Sequence, residues 1–231
     1  MAQSQEREKP EVRAPGAVAR AAKDPVSRRK FMALTGGSAA AAAFLAACGS
    51  DDDSATTTTP AQGGGEGGET EKFGKGDVGV LNYALTLEHL ETAFYADVIR
   101  SGLFKGADLE TLRKFGQEEA EHVKALTAAV KSLGGKPAPR PKTEFPLKSA
   151  KSVLELASTV ENLGAAAYLG QAANIQSPQV LASALAIHTV EGRHASALNT
   201  LLGLSITPDG AFAKPASAEE VLESVEPFIV S

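Results

Sequence analysis

Two apolar stripes in this 231-residue chain are broken at mid-length by the same pair of residues. The first runs Leu112, Phe115, Val123, Leu126, Val130 and Leu133, at helical intervals of three and four. Glu119 and His122 fill the gap in its middle. The second runs Leu181, Ala184, Ile187, Ala195, Leu198 and Leu202, and Glu191 and His194 interrupt it. Two further helical segments carry one such residue each. Glu88 stands among Leu81, Ala84, Leu85, Tyr95 and Ile99, and Glu161 among Leu154, Ala157, Ala165 and Tyr168. A buried, unpaired carboxylate costs several kcal/mol, and four in one layer repel one another as well. A chain with this pattern needs a partner for those charges.

The helices follow from caps and breakers. Asp77 is placed to cap a first helix that runs to about Ser101 and stops at Gly102. Asp108 is placed to cap a second, which ends at Gly134-Gly135. Residues 136–146, KPAPRPKTEFP, hold four prolines and form a stiff connector. A third helix spans about Ser149 to Asn174, and Ser177-Pro178 opens a fourth that runs to about Gly203. The expected fold is all-α: an antiparallel four-helix bundle over 77–203, with a long crossover between helices 2 and 3. Residues 204–231 read as a tail with one short helix opened by Ser217 and Glu220. No segment shows strand alternation with turn chemistry.

In such a bundle two divalent cations remove the charge problem. Carboxylates bridge two ions, and each imidazole terminates one. Glu-x-x-His offers an oxygen and a nitrogen donor about 4.5 Å apart along one helix face. One Glu from each of two helices plus Glu-x-x-His from the other two is a dinuclear carboxylate arrangement. Glu88, Glu119, His122, Glu161, Glu191 and His194, together with LNYALTLEHLETAFY and FGQEEAEH, resemble the ferritin-like di-metal proteins. The two stretches are similar to those of the bacterial ferritin-like domain group that also includes plant desiccation-related proteins. The resemblance implies two metal ions per chain, iron or manganese, held by those six residues. Tyr95 and Tyr168 each lie seven residues after a ligand Glu, on the same face, and resemble the family's tyrosines that hydrogen-bond metal-bound carboxylates.

Other polar residues near the motifs have plainer readings. Glu91, one turn from Glu88, is placed to replace or supplement it. His89 and His188 read as packing or surface residues, and Glu118 and Glu121 as a solvated face. Gly116, Gly164 and Gly192 fall within one turn of the motifs and permit either close helix approach or an opening.

The N-terminal part reads as an address. Residues 1–47 hold 8 Lys/Arg and 4 Asp/Glu, which leaves 15 and 24 in the remainder, a basic head on an acidic body. That balance argues against a nucleic-acid partner. Arg28-Arg29-Lys30-Phe31-Met32 resembles the twin-arginine export signal. The uncharged run 33–47 is too short to anchor across a bilayer. Leu45-Ala46-Ala47-Cys48 resembles the lipobox of bacterial lipoproteins, with Cys48, the one cysteine in the chain, as the lipidated residue. Residues 1–26 make the segment before the arginines long for such a signal. Residues 48–76 form the lipidated Cys and a Gly/Thr/Asp-rich tether with little to bury, and a 25-residue coil reaches roughly 25–30 Å.

One cysteine excludes a disulfide framework and any four-cysteine iron or zinc module. The tail offers no long fifth helix, which argues against a storage cage. The expectation is an extracytoplasmic, membrane-anchored protein of the cell envelope whose metal pair reacts with dioxygen or peroxide, in the manner of a di-iron oxidase or a manganese catalase. The alternative is a non-catalytic envelope metal binder or stress-protective structural protein. A homo-oligomer is compatible with either.

Overall fold

The computed structural model describes residues 69–230. The export and lipidation residues Arg28, Arg29 and Cys48 lie outside them. Five α-helices follow in order: α1 (Asp77–Arg100), α2 (Gly106–Ser132), α3 (Ala150–Gln171), α4 (Pro178–Leu202) and α5 (Ala218–Val225). The first four form the bundle. α1 packs most extensively on α2 and α3 on α4, and the two hairpins join through α1–α3 and α2–α4 contacts. No helix among the described residues is long and apolar enough to cross a membrane.

Three helix starts are set by local side-chain chemistry. Ser149 accepts from Ser152 N at 3.2 Å, and the Ser152 hydroxyl reaches back to Ser149 N, so α3 opens with two satisfied amides. Ser177 caps α4 ahead of Pro178. Ser217 and Glu220 form the reciprocal box of α5. Gly203 ends α4 in the left-handed conformation, φ 70°.

Two caps differ from expectation. The Asp77 carboxylate does not cap its own helix. It accepts from Gln176 N at 2.7 Å and Ser177 N at 2.8 Å, tying the start of α1 to the loop between α3 and α4. Asp108 lies inside the first turn of α2, which opens two residues earlier at Gly106 with no side-chain cap.

The start of α1 thus meets the end of α3, and those two helices are antiparallel. Because α2 opposes α1, α2 and α3 point the same way, and residues 133–149 must travel the length of the bundle to join them. Asn82 holds the start of this crossover. Its amide donates to Phe73 O and Lys136 O, both at 3.0 Å, and its carbonyl accepts from Ala138 N at 2.8 Å. Further along, Phe145 packs edge-on against Phe94 of α1 at 5.2 Å between ring centroids.

The sequence gives no sign of strands, yet the crossover and the C-terminal segment form a small antiparallel ribbon. Lys142–Thr143 (β1) pairs with Ile229–Val230 (β2), with Lys142 opposite Val230. Strands of two residues are too short to show alternation. The tail is also part of the core rather than an appendage. Ala218, Val221 and Val225 of α5 are buried with Leu87, Leu90 and Val160. Ala216 N donates to Ala166 O at 3.0 Å, and a Cβ on Gly170 would lie 1.9 Å from Ala216 O, so only glycine lets the tail lie this close to α3.

Asn82→Leu keeps the volume but leaves two carbonyls and one amide without their partner. It should cost roughly 2–3 kcal/mol, read as a lower urea midpoint at unchanged m-value in the full-length protein.

Candidate metal centre

All four bundle helices present their mid-length carboxylate to the same layer. Glu88, Glu119, Glu161 and Glu191 are fully buried, His194 is nearly so, and the His122 side chain is 12% exposed. Apolar residues close the layer on both sides: Leu85, Leu126, Ala184 and Ile187 on one, Val98, Leu112, Phe115 and Leu198 on the other.

The donors fall into two groups of four. His122 Nδ1 lies 2.8 Å from Glu119 Oε2, and 3.2 Å from Glu88 Oε2 and Glu191 Oε1. His194 Nδ1 lies 2.8 Å from Glu119 Oε1 and 3.2 Å from Glu161 Oε2. Glu88, Glu119, His122 and Glu191 thus offer one donor each within 4.8 Å of one another, and so do Glu119, Glu161, Glu191 and His194. Glu119 and Glu191 belong to both groups. The structure therefore brings together all six residues singled out in the sequence.

The tyrosines cross between hairpins. The Tyr95 hydroxyl donates to Glu161 Oε1, and the Tyr168 hydroxyl to Glu88 Oε1. Each tyrosine shares a helix with one of these carboxylates and bonds the other.

Three oxygens test whether the cluster suits a cation. Glu119 Oε1 and both oxygens of Glu191 are buried without a well-formed hydrogen bond: each Oε1 has only an imidazole Nδ1 at ion-pair distance, and Glu191 Oε2 lacks even that. These are the two shared carboxylates. Buried carboxylate oxygens without a donor are costly, and a divalent ion between the two groups would satisfy all three. A set of carboxylates and imidazoles suits iron or manganese.

The neighbours divide into participants and bystanders. Glu118 is not merely part of a solvated face. Although 35% exposed and paired with Lys114, it places Oε2 2.8 Å from His194 Nε2. This fixes the His194 ring so that Nδ1 faces the cluster. Phe115 stacks on the same ring at 4.1 Å. Glu91 is buried, 3% exposed, and its carboxyl approaches Glu191 rather than standing in for Glu88. Glu121 stays on the surface with Lys124. His188 Nδ1 lies 2.9 Å from Ala165 O, a packing contact, and His89 is half-buried beside the Ala138 backbone.

The three glycines also separate. A Cβ on Gly116 would lie 2.8 Å from Tyr95 Cβ, so Gly116 allows α1 and α2 to approach. A Cβ on Gly164 would lie 2.8 Å from Glu91 Oε1 and 3.3 Å from Glu191 Oε2, so Gly164 makes room for carboxylates. Gly192 has nothing within 4 Å of such an atom.

Protonation follows from these contacts. Burial alone would lower both imidazoles, but the carboxylates around them win, raising His122 to about 12 and His194 to about 11. Burial pushes Glu119 up, yet the bonds from His122 and His194 outweigh it and bring it to about 2. Glu88 is raised to about 7, chiefly by burial. Burial and the neighbouring carboxylates also raise Glu91 and Glu191.

Residues 76–204 match the family described as ferritin-like domain, and the chain belongs to that family. No curated protein matches the sequence.

The raised groups give a pH signature. In metal-stripped protein, folded Glu88 keeps a proton to about 7 that an ordinary carboxyl loses near 4.5, so stability falls as pH rises through that window. The histidines act in the same direction. Their contribution is complete below 6.5 and is lost as pH climbs toward 11–12. Metal binding must displace these protons. The melting temperature of stripped protein should therefore fall from pH 5 to 9, while the increment produced by saturating Mn(II) grows over the same range.

Proposed function

We propose that this ferritin-like domain holds two ions, iron or manganese, and uses them to react with dioxygen or peroxide. The observation that carries the reading is the pair of four-donor groups sharing Glu119 and Glu191. One ion would take Glu88 and His122 as its own ligands and the other Glu161 and His194, with the shared carboxylates bridging. Iron or manganese held this way would supply the electron-transfer capacity that the polypeptide lacks.

The protein's part is placement and exclusion. Tyr95 and Tyr168 hold the carboxylates of the opposite hairpin in position. Apolar walls keep bulk water from the layer and strengthen the electrostatics inside. The free spaces near the layer favour a small reactant. A cavity of about 10 Å³, room for about one water molecule, lies beside Tyr168, walled by Tyr83, Ala84, Leu87 and Ala167. Another of about 10 Å³ lies beside Glu91 under α5.

Glu119→Ala or Glu191→Ala removes a proposed bridge and should cut metal content from two ions per chain to well below one, measured by elemental analysis after reconstitution. Wild-type protein should oxidise ferrous ion with dioxygen faster than the same buffer does, or in its manganese form convert peroxide to water and oxygen. Tyr95→Phe and Tyr168→Phe should retain metal and change that rate. Two bound ions with neither activity would assign the protein to metal binding without turnover. No bound metal in the reconstituted wild type would refute the centre.

We also propose export by the twin-arginine route and anchoring through Cys48 in the cell envelope, on the strength of residues 27–48. Arg28→Lys together with Arg29→Lys should leave precursor in the cytoplasm. Cys48→Ala should abolish lipid labelling and processing. A processed, lipid-labelled Cys48→Ala product would count against the anchor.

A further inference from the structure

The two hairpins carry the same pattern. A shift of 73 residues takes Glu88 and Tyr95 onto Glu161 and Tyr168, and a shift of 72 takes Glu119 and His122 onto Glu191 and His194. Two residues beside the cluster break this repeat. The counterpart of Glu91 is Gly164, and the counterpart of Glu118 is Val190.

Both exceptions fall on the same side. The space beside Gly164, where a side chain on α3 would begin, is filled by the Glu91 carboxyl from α1, next to Glu191 Oε2. The other oxygen of Glu191, Oε1, is the one 3.2 Å from His122 Nδ1. Oε2 is the oxygen that does not face His122, and it accepts no hydrogen bond. On this side too, Glu118 bonds His194 Nε2, whereas His122 Nε2 has no carboxylate partner among the described residues.

We propose that the two metal positions are unequal: the one framed by Glu161 and His194 is the high-affinity half, and the Glu91 carboxylate, which stands beside that group of four donors and outside it, is what favours it. The inference rests on the dinuclear reading above. Four carboxylates balance two divalent ions, and Glu91 adds a fifth negative charge beside one of them, inside a low-dielectric layer where charge acts strongly. Glu118 adds to the bias by making His194 a more basic donor, since carboxylates behind ligating imidazoles strengthen metal binding by about 10–100-fold.

Stepwise Mn(II) addition to full-length, metal-stripped protein tests this, followed by calorimetry and electron paramagnetic resonance. In the wild type the first equivalent should give isolated ions, and spin-coupled pairs should appear only with the second. Glu91→Gln, which removes the charge at nearly constant volume, should weaken the first step about tenfold or more and bring coupled pairs into the first equivalent. Gly164→Ala presses on Glu91 Oε1 from the other side and should weaken the same step, which guards against a folding defect peculiar to Glu91→Gln. Two bound ions with both variants indistinguishable from wild type would overturn the inference and leave the dinuclear reading standing. No Mn(II) uptake by the wild type would overturn both.

Discussion

Repulsion among carboxylates at one level of an apolar bundle is the constraint around which this domain is organised. Glu88, Glu91, Glu119, Glu161 and Glu191 are all buried, with two imidazoles among them. Hydrophobic residues of similar size would make a more stable core. The arrangement holds only where protons or metal ions compensate the charge, and the surrounding contacts serve to fix the carboxylates. Tyr95 and Tyr168 tie each end carboxylate to the opposite hairpin. Phe115 and Glu118 set the plane of His194. The cost in packing purchases a site whose donors are already in place before any ligand arrives.

What could be read in the sequence was whatever is written along a single helix. Glu119/His122 and Glu191/His194 stand out because each pair breaks an apolar stripe at the helical period, and their repetition removes chance as an explanation. Ser149, Ser177 and Ser217 are recognisable as caps because the amides they satisfy lie three residues away. The prolines of 136–146 mark the crossover because they forbid helix. The ferritin-like bundle follows from these.

Features that depend on two helices at once were hidden. Asp77 has the spacing of a cap, yet it serves a loop a hundred residues away. Glu118 lies off the apolar stripe, and only the position of α4 brings His194 within its reach. Glu91 was visible as an acid near Glu88, but its direction is set by the absence of a side chain at Gly164, on another helix. The tail looked peripheral because eight residues carry little periodicity, although Val221 and Val225 are core residues.

The small ribbon joining Lys142–Thr143 to Ile229–Val230 has a consequence for the order in which the molecule is built. It pairs residues far apart in the chain, and such contacts form late because the intervening loop must first close. The four long helices supply the donors of the carboxylate layer, and Val221 and Val225 of α5 wall off the side next to Glu91. Until that segment docks the centre has an open flank, and Val221 and Val225 are what shut it.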